Sequence, residues 1–230
     1  MKDWKDYQEK TYNSDAQKLL IYFLNNYKIK NAIDLGCGSG NETVYMLEHN
    51  IKVLAVDGQL NKKYILDRID ENKKENVTFL EHEFKNIKLP KTDAITAFFS
   101  IPFCNPKDFN NLWDTIYNSL NNNGYFVGQL FGDRDDWKDD PLINTFTIDE
   151  VKKYLQKYKI LKLKEIEYIR KSDNKKWHFY NIIAQKEEVE NYIKKWFSIK
   201  CSRLYWRSTK YCILGWYLCC KMFYKNKKGI

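Results

Sequence analysis

The hydrophobic residues of the chain follow two alternating patterns between about residue 31 and residue 131. Short, nearly continuous apolar runs predict buried strands, and the segments between them, whose apolar positions recur every three or four residues, predict helices. Strands that alternate with helices are typical of an α/β protein with a mostly parallel sheet covered on both faces. The predicted strands are residues 31–35, 51–57, 77–84, 93–99 and 125–131.

The segments on either side of this array also carry helix and strand patterns. Ser14 and Gln17 predict a capping box ahead of an amphipathic helix that ends near residue 28. Thr147 and Glu150 predict a second capped helix, which reaches about residue 158. The other predicted elements are helices at residues 42–50, 60–71 and 105–120, and a hairpin of strands 160–169 and 176–185 around a turn at 172–174.

A glycine-rich turn joins the first predicted strand to the helix that follows it. Gly36, Gly38 and Gly40 allow the backbone to bend sharply and to approach a ligand closely, and the next helix presents free N–H groups at its N-terminus. Asp57 ends the second predicted strand and is followed at once by Gly58. An acid about 20 residues after such glycines, at the tip of the next strand, is placed to accept hydrogen bonds from two ribose hydroxyls.

The spacing of the glycines separates two kinds of nucleotide site. A dinucleotide site needs G-x-G-x-x-G, whereas residues 34–40 read D-L-G-C-G-S-G. This motif, with the acid at the end of the next strand, resembles motifs I and II of the class I S-adenosylmethionine (SAM) methyltransferases. The resemblance implies SAM as the cofactor and a doubly wound, mostly parallel, seven-stranded sheet of Rossmann-like methyltransferase fold, with an antiparallel last strand. The implied cofactor ligands are Asp34, Gly36 and Gly38 for the methionine part, and Asp57 with Gly58 beside it for the ribose.

Two later strand ends carry further cofactor residues that the resemblance implies. The family places an acid that binds the adenine amine, and a main-chain N–H that binds an adenine ring nitrogen, after the third strand. Glu83 and Phe84 are the candidates for these two roles, and Glu81 and His82 are competing polar positions. Phe99, at the end of the fourth strand, is a further predicted cofactor contact.

The S-I-P-F segment at residues 100–103 lies where the family places residues beside the transferred methyl group. Members that methylate an amine commonly carry [N/D/S]-P-P-[Y/F/W] there, and this chain has Ile101 in place of the first proline. Ser100 and Phe103 are therefore candidates to recognise an amine. The alternative is a loop stiffened by Pro102 in which Phe103 only lines the pocket.

Trp177 and His178 begin the last predicted strand. Because the resemblance makes that strand antiparallel to its neighbours, it begins at the edge where they end, and both residues are predicted to face the substrate. His178 is a candidate base, since an imidazole with an ordinary pKa of about 6.5 suits proton transfer at neutral pH. The alternative is a hydrogen-bonded structural histidine. The predicted catalytic residues are thus His178 and Ser100.

The order of motifs over residues 31–186 also resembles a bacterial group of small SAM methyltransferases described as tellurite-resistance-like. That resemblance implies methyl transfer to a small-molecule nucleophile. Two alternatives remain open: an RNA or protein N-methyltransferase, and a SAM-binding protein without turnover. In the SAM methyltransferases a leading segment often lies over the cofactor, and in the N-terminal cap segment and helix, residues 1–30, Tyr7 or Tyr12 is the candidate for this contact; the alternative is a surface aromatic anchored on the fold.

Charge divides the chain near residue 187. The formal net charge is +9, yet residues 191–230 contain ten Lys and Arg and no Asp or Glu, so the rest of the chain is close to neutral. The predicted methyltransferase domain, residues 1–186, therefore has no general basic footprint for nucleic acid. Residues 187–230 are a basic, aromatic extension, for which contact with an anionic membrane surface, contact with RNA and no role at all are the alternatives.

Two further features bound the class of protein. The chain has no apolar run of about 18 residues and no apolar leader, which predicts a cytoplasmic protein that at most touches a membrane peripherally. Its six cysteines form no C-x-x-C pair, which predicts reduced thiols and no metal site. The sequence does not indicate an oligomeric state.

Overall fold

The computed structural model describes residues 4–187, and these form one mixed β-sheet with helices on both faces. The strands are β1 (Asn31–Leu35), β2 (Lys52–Asp57), β3 (Val77–Glu81), β4 (Thr92–Ala97), β5 (Leu120–Gly132), β6 (Thr145–Phe146), β7 (Tyr158–Ile169) and β8 (Lys176–Lys186). The helices are α1 (Lys5–Thr11), α2 (Lys18–Asn26), α3 (Asn41–Glu48), α4 (Lys62–Leu66), α5 (Phe109–Ser119) and α6 (Ile148–Tyr154), with 3₁₀ turns at Glu71–Asn76 and Ile101–Phe103.

The strand order is β3-β2-β1-β4-β5-β8-β7, and the short β6 pairs with the end of β5. Strands β1 to β5 pair in parallel, whereas β8 runs antiparallel to both β5 and β7. The predicted α/β fold, with its mostly parallel sheet and antiparallel last strand, is confirmed; β6 makes the sheet eight-stranded. After β1 the chain adds β2 and β3 on one side of that strand, and it then crosses over to place β4 on the other side of β1. Ligands of open α/β sheets bind beyond the carboxyl ends of the strands at such a point.

Two apolar layers cover the sheet. On one face, Trp113 of α5 and Val151 of α6 are buried against Phe126 of β5. On the other face, Phe23 of α2 and Met46 of α3 are buried with the apolar residues of β1 and β2. Because both faces of the central strands are covered, the accessible polar groups of these strands lie at their ends, which is where a ligand site is placed.

The two predicted capping boxes have different outcomes. The box at Ser14 and Gln17 is wrong: α2 begins at Lys18 without a side-chain cap, and the Gln17 N–H donates instead to Glu42 Oε1 at 3.1 Å. The box at Thr147 is confirmed, because Glu150 N donates to Thr147 Oγ1 and Thr147 N donates to Glu150 Oε2.

Two predicted helices are shorter than their apolar patterns indicate. The helix predicted over residues 60–71 ends at Leu66, beyond which the chain turns so that Arg68 reaches the glycine-rich turn. The helix predicted from residue 105 begins at Phe109. Asn105 Oδ1 accepts from Lys107 N and closes a local turn instead of capping a helix.

Three further expectations concern membrane-spanning helices, metal ligands and the C-terminal extension. No helix within residues 4–187 is long and apolar enough to cross a membrane. Nor does this part of the chain bring three or more His, Cys, Asp or Glu side chains together as metal ligands. The predicted extension lies, from residue 188 onward, outside the described residues, together with the alternatives of membrane or RNA contact.

Candidate functional site

The turn between β1 and α3 curls back onto the end of β2. Gly36, Gly38 and Gly40 have φ values of +78°, +54° and +80°, the left-handed region in which side chains are strained. Gly36 N and Cys37 N both donate to the carbonyl of Val56, at 2.8 and 2.9 Å. These bonds fix the turn against the neighbouring strand. The crest of the turn, at Gly38, therefore has a defined shape without a ligand.

The surroundings of the three glycines differ. A Cβ on Gly36 would lie 2.3 Å from Ser100 Cβ and 3.3 Å from Phe84 Cζ, and one on Gly40 would lie 2.2 Å from Ile65 Cγ1. A Cβ on Gly38 would meet no atom within 4 Å among the described residues. A side chain at Gly36 or Gly40 would therefore clash with its packed neighbours. Gly38 has open space at the crest of the turn, where a ligand can lie directly against the main chain.

Asp57 lies at that crest. Its Oδ2 accepts from Gly38 N at 2.9 Å and its Oδ1 accepts from Gln59 N at 2.9 Å. Gly58 follows, and a Cβ there would lie 3.6 Å from Cγ of Glu83, whose side chain is exposed. The structure therefore brings Asp57, Gly58 and Glu83 together at the adjoining ends of β2 and β3, next to the crest of the turn.

Asp34 occupies a different place from the other predicted ligands. It is only 2% exposed, and its two oxygens accept from Thr43 Oγ1 at 2.6 Å and from Thr96 Oγ1 at 2.9 Å. Burial raises its pKa to about 6, because desolvation of the carboxylate outweighs the two hydroxyl donors. The side chain lies beneath the turn and ties β1 to α3 and β4, which is a positioning role for the glycine-rich segment.

Glu42 is an acid that the sequence interpretation did not select. Its carboxylate is held by the Gln17 N–H, and burial, with the charge of Asp34 nearby, raises its pKa to about 7, while Arg68 opposes the shift. Asp34, Glu42 and Asp57 thus place three carboxyl groups around the glycine-rich turn, and the Arg68 guanidinium offsets part of their negative charge. A cationic ligand gains from that arrangement.

Arg68 fastens the N-terminal segment to the turn. One guanidinium nitrogen donates to the carbonyl of Ser39, and the other donates to Tyr12 O at 2.8 Å and to Asn41 Oδ1 at 2.6 Å. The Tyr12 ring packs against the guanidinium with 4.6 Å between the centres. A single cation therefore joins the glycine-rich turn, α3 and the segment that precedes α2.

Helix α1 crosses the edge of the sheet above the crest. Trp4 N donates to Gln59 Oε1 at 2.9 Å, and Gln8 Nε2 donates to Gln59 O at 2.9 Å. The Trp4 ring then contacts the Phe103 ring, with 4.8 Å between centroids. Trp4, the residue before α1, therefore contacts both the segment next to Asp57 and the S-I-P-F segment, and Gln8 of α1 adds a second hydrogen bond to Gln59.

An aromatic cluster adjoins the crest on the side of β4, β5 and β8. Phe99, with φ +49°, stacks on Phe131 at 5.4 Å and meets Trp177 edge-on at 5.4 Å. Ser100 donates to the carbonyl of Leu35 at 2.5 Å and stands against Gly36, so the cluster begins beside the glycine-rich turn. We call this cluster the aromatic box; its members are Phe99, Phe103, Phe131, Trp137, Trp177 and Phe179.

His178 lies outside the aromatic box, and its geometry argues against the predicted base role. The side chain is fully buried; Nδ1 accepts from Arg134 N at 3.0 Å, so the ring proton is on Nε2, which donates to Glu165 Oε1 at 2.8 Å. Neither nitrogen is available to a substrate. The predicted strand start is correct, but consecutive residues of a strand point to opposite faces, and Trp177 takes the face of the box.

His178→Ala should lower the free energy of unfolding by about 2–4 kcal/mol, because it removes a buried ring and leaves the Arg134 N–H without its acceptor. Urea unfolding measures this change. The control is His49→Ala, at an exposed helix end, for which we expect about 0.5 kcal/mol or less. Equal stability of His178→Ala and the wild-type protein would contradict the structural role.

Residues 32–124 match the family described as "Methyltransferase domain". The central part of the chain is therefore similar to a methyltransferase domain. In this domain the glycine-rich turn, Asp57 and the S-I-P-F segment lie along one edge of the sheet, and the same fold recurs in solved structures. TehB from Haemophilus influenzae superposes with a TM-score of 0.66 at 20% identity, covering 80% of this chain and 68% of that one. At this identity the likeness shows the fold.

Further similar proteins bear on the cofactor. A 1,6-didemethyltoxoflavin-N1-methyltransferase from Burkholderia thailandensis, solved with bound 1,6-didemethyltoxoflavin and S-adenosylhomocysteine, superposes with a TM-score of 0.62 at 16% identity, covering 80% of this chain and 84% of that one. The carboxy-S-adenosyl-L-methionine synthase of Helicobacter pylori is 28% identical over 145 residues, 60% of this chain and 54% of its own. The chain spans about half the length of that curated relative. The match to a methyltransferase domain implies SAM as the cofactor.

The described residues fit SAM. The bare main chain at Gly38 allows close approach, Asp57 lies beside it for a ribose, and the carboxylates of Asp34 and Glu42 match the sulfonium and ammonium charges of the ligand. Of the predicted site residues, the structure gathers Gly36, Gly38, Asp57, Gly58, Glu83, Phe84, Phe99 and Ser100 along this edge, places Asp34 beneath it and separates His178 from it.

The affinity for SAM should depend on pH more steeply than the affinity for S-adenosylhomocysteine, which lacks the sulfonium charge. The raised pKa values of Glu42 and Asp34, about 7 and about 6, mean that both groups gain protons as pH falls from 8 to 5.5 and attract a cation less. Calorimetry should show the preference for SAM falling about fivefold to tenfold over this range. Glu42→Gln, which keeps an acceptor for Gln17 N, should flatten the dependence; a preference independent of pH would contradict it.

Proposed function

We propose that the protein is a SAM-dependent methyltransferase that transfers a methyl group to a small-molecule nucleophile. The observation that carries this proposal is the continuity of two surfaces: the crest at Gly38 and Asp57 meets the aromatic box at Ser100 and Phe99. Trp4, which directly precedes α1, contacts both Gln59 beside the crest and Phe103 of the aromatic box. A covered crevice with a polar end and an aromatic end suits a nucleoside cofactor beside a small, flat acceptor.

The residues at the polar end would hold the cofactor. Asp57 would accept from the ribose hydroxyls, Glu83 and Phe84 are our candidates for the adenine, and Gly38 is our candidate for the methionine part, with Gly36 shaping the turn beneath it. Bound SAM supplies an electrophilic methyl group on a sulfonium and a neutral thioether leaving group. The rate contribution of the protein is then chiefly alignment of the acceptor.

The residues at the aromatic end would position the acceptor. The Trp4 ring meets Phe103 of the aromatic box, and Phe99 and Phe103 would keep water away from a bound acceptor. The Ser100 hydroxyl donates a hydrogen bond to the Leu35 carbonyl. The lone pairs of Ser100 Oγ are then left to accept a hydrogen bond from an N–H or O–H group of the acceptor. This is the role in which we retain Ser100, whereas His178 is no longer proposed as the base.

The test uses the full chain, SAM labelled in the methyl group, and fractionated cell extract. Label in a small molecule, with S-adenosylhomocysteine as the nucleoside product, supports the proposal. Label in RNA or in protein would replace it with a macromolecular N-methyltransferase that uses residues 191–230 for docking. Bound SAM without any transfer would favour a non-catalytic SAM-binding protein. A carboxylated SAM product would instead indicate the chemistry named by the Helicobacter pylori relative.

A further inference from the structure

A lysine ammonium lies between two indole rings at the outer wall of the aromatic box. Lys175 Nζ is 3.3 Å from the centre of the Trp137 ring, 3.8 Å from that of Trp177 and 5.7 Å from that of Phe131. Its side chain is only 11% exposed. Three aromatic faces around one cation form an aromatic cage, the arrangement by which proteins recognise ammonium groups through the negative faces of the rings.

A buried carboxylate completes this cage. Asp135 is fully buried, and its Oδ1 accepts from Lys175 Nζ at 3.2 Å and from Trp137 N at 3.1 Å. Its Oδ2 accepts from His178 N at 2.9 Å. The backbone N–H groups of Trp137 and His178 therefore hold the carboxylate in place. Its position does not depend on Lys175, and the counter-ion of the cage persists if the lysine leaves.

Lys175 itself is held on a short hairpin turn and is desolvated in the cage. Arg170 N donates to Lys175 O at 2.8 Å and Asn174 has φ +56°, so the lysine is the residue at which the turn re-enters β8. Burial lowers the pKa of Lys175, while the charge of Asp135 opposes the shift. The ammonium thus gives up hydration for the cage, and outward rotation of one flexible side chain restores that hydration.

The cage also contains a polar group without a hydrogen-bond partner among the described residues, the indole N–H of Trp177. Trp177 Nε1 is buried and makes no hydrogen bond within the described residues. A buried donor without a partner is destabilising, and a ligand oxygen next to the cage would satisfy this one. The same Trp177 ring meets Phe99 edge-on at 5.4 Å, which places the cage on the acceptor side of the proposed crevice.

We propose that Trp137, Trp177 and Asp135 form a binding site for an external alkylammonium group, and that Lys175 is its resident occupant and moves out when such a ligand binds. The ring faces and the carboxylate recognise the positive charge, and the indole N–H of Trp177 recognises a nearby ligand oxygen. The site goes beyond the proposed methyl transfer and needs no cofactor, so it can be tested without SAM.

The probes are choline and its neutral carbon analogue 3,3-dimethyl-1-butanol, which has the same shape and hydroxyl group but no charge. Both are titrated by calorimetry into the wild-type protein, Lys175→Ala and Lys171→Ala. Lys171 lies in the same hairpin turn, has an exposed side chain and lies outside the cage, so it is the matched control. Far-UV circular dichroism checks that each variant is folded.

The expected result is that Lys175→Ala binds choline at least about tenfold more tightly than the wild-type protein, because the competing ammonium is gone. Lys171→Ala should match the wild-type protein, and the neutral analogue should bind Lys175→Ala at least about tenfold more weakly than choline. Equal choline affinity in Lys175→Ala and the wild-type protein, or equal affinity for the two probes, would overturn the proposal.

A second measurement uses the wild-type protein alone and applies even if Lys175→Ala does not fold. Acetylation of lysines by a limiting reagent is followed residue by residue with mass spectrometry. Lys175 is shielded in the cage, so choline should raise its acetylation rate several-fold and leave that of Lys171 unchanged. No rise at saturating choline, or an equal rise with the neutral analogue, would contradict displacement of Lys175.

Discussion

Gly36→Ala should abolish measurable SAM binding and lower the free energy of unfolding by about 3 kcal/mol or more. The new Cβ would lie 2.3 Å from Ser100 Cβ, on a backbone with φ +78°. Left-handed strain and overpacking each cost roughly 1–3 kcal/mol. Ser100 is held by its bond to Leu35 O, so it cannot move aside without opening the junction of β1 and β4. Urea unfolding and calorimetry with SAM measure the two effects.

Gly38→Ala is the matched control for this prediction. Its φ of +54° is also left-handed, but its Cβ would meet no described atom within 4 Å, so the strain of about 1–2 kcal/mol stands without a clash. We expect this variant to fold and to lose SAM affinity because the methyl group occupies the ligand side of the crest. A Gly36→Ala protein that binds SAM like the wild-type protein would refute the placement of the crevice.

Asp57→Ala should weaken SAM binding about 100-fold or more. Two charge-assisted hydrogen bonds to ribose hydroxyls are worth about 1.5–3 kcal/mol each, and the same carboxylate holds Gly38 N and Gln59 N, which shape the crest and support α1. The affinity for S-adenosylhomocysteine should fall by a similar factor, because the ribose is common to both ligands. Calorimetry with the two nucleosides measures this.

The control for Asp57→Ala is Asp67→Ala, an exposed aspartate at the end of α4. It removes the same charge from the same part of the domain without touching the crest, so the affinity for SAM should change about twofold or less. If Asp57→Ala retained the wild-type affinity, Asp57 would not be the ribose ligand, and the proposed orientation of SAM would fail with it.

The features that could be predicted from the sequence depend on residues that lie next to each other in the chain. The glycines at 36, 38 and 40 need left-handed backbone wherever the chain goes next, and Asp57 follows directly from a buried run that ends in glycine. Both features were therefore correctly located by pattern alone. The antiparallel last strand came from the family resemblance, because the β7–β8 hairpin does not by itself specify which neighbour β8 joins.

The remaining parts of the site depend on pairs of residues far apart in the chain. The sequence does not reveal that Asp34 meets Thr96, or that Glu42 receives Gln17 N, and so it does not reveal which acid is buried. His178 was misplaced for a related reason: two adjacent residues at a strand end were both assigned to one face, and the side that faces the box was settled by packing. A stricter use of strand alternation would have separated Trp177 from His178.

The contacts of α1 have a kinetic consequence. Gln59 stands two positions after Asp57, the proposed ribose ligand, and forms hydrogen bonds with Trp4 and Gln8, so under this proposal a helix of seven residues covers a nucleoside in the crevice. Helices this short have little intrinsic stability and detach by local opening. The residence time of the nucleoside is then set by how often α1 lifts, and substitutions at Gln59 would shorten that time while leaving the chemistry of the crevice untouched.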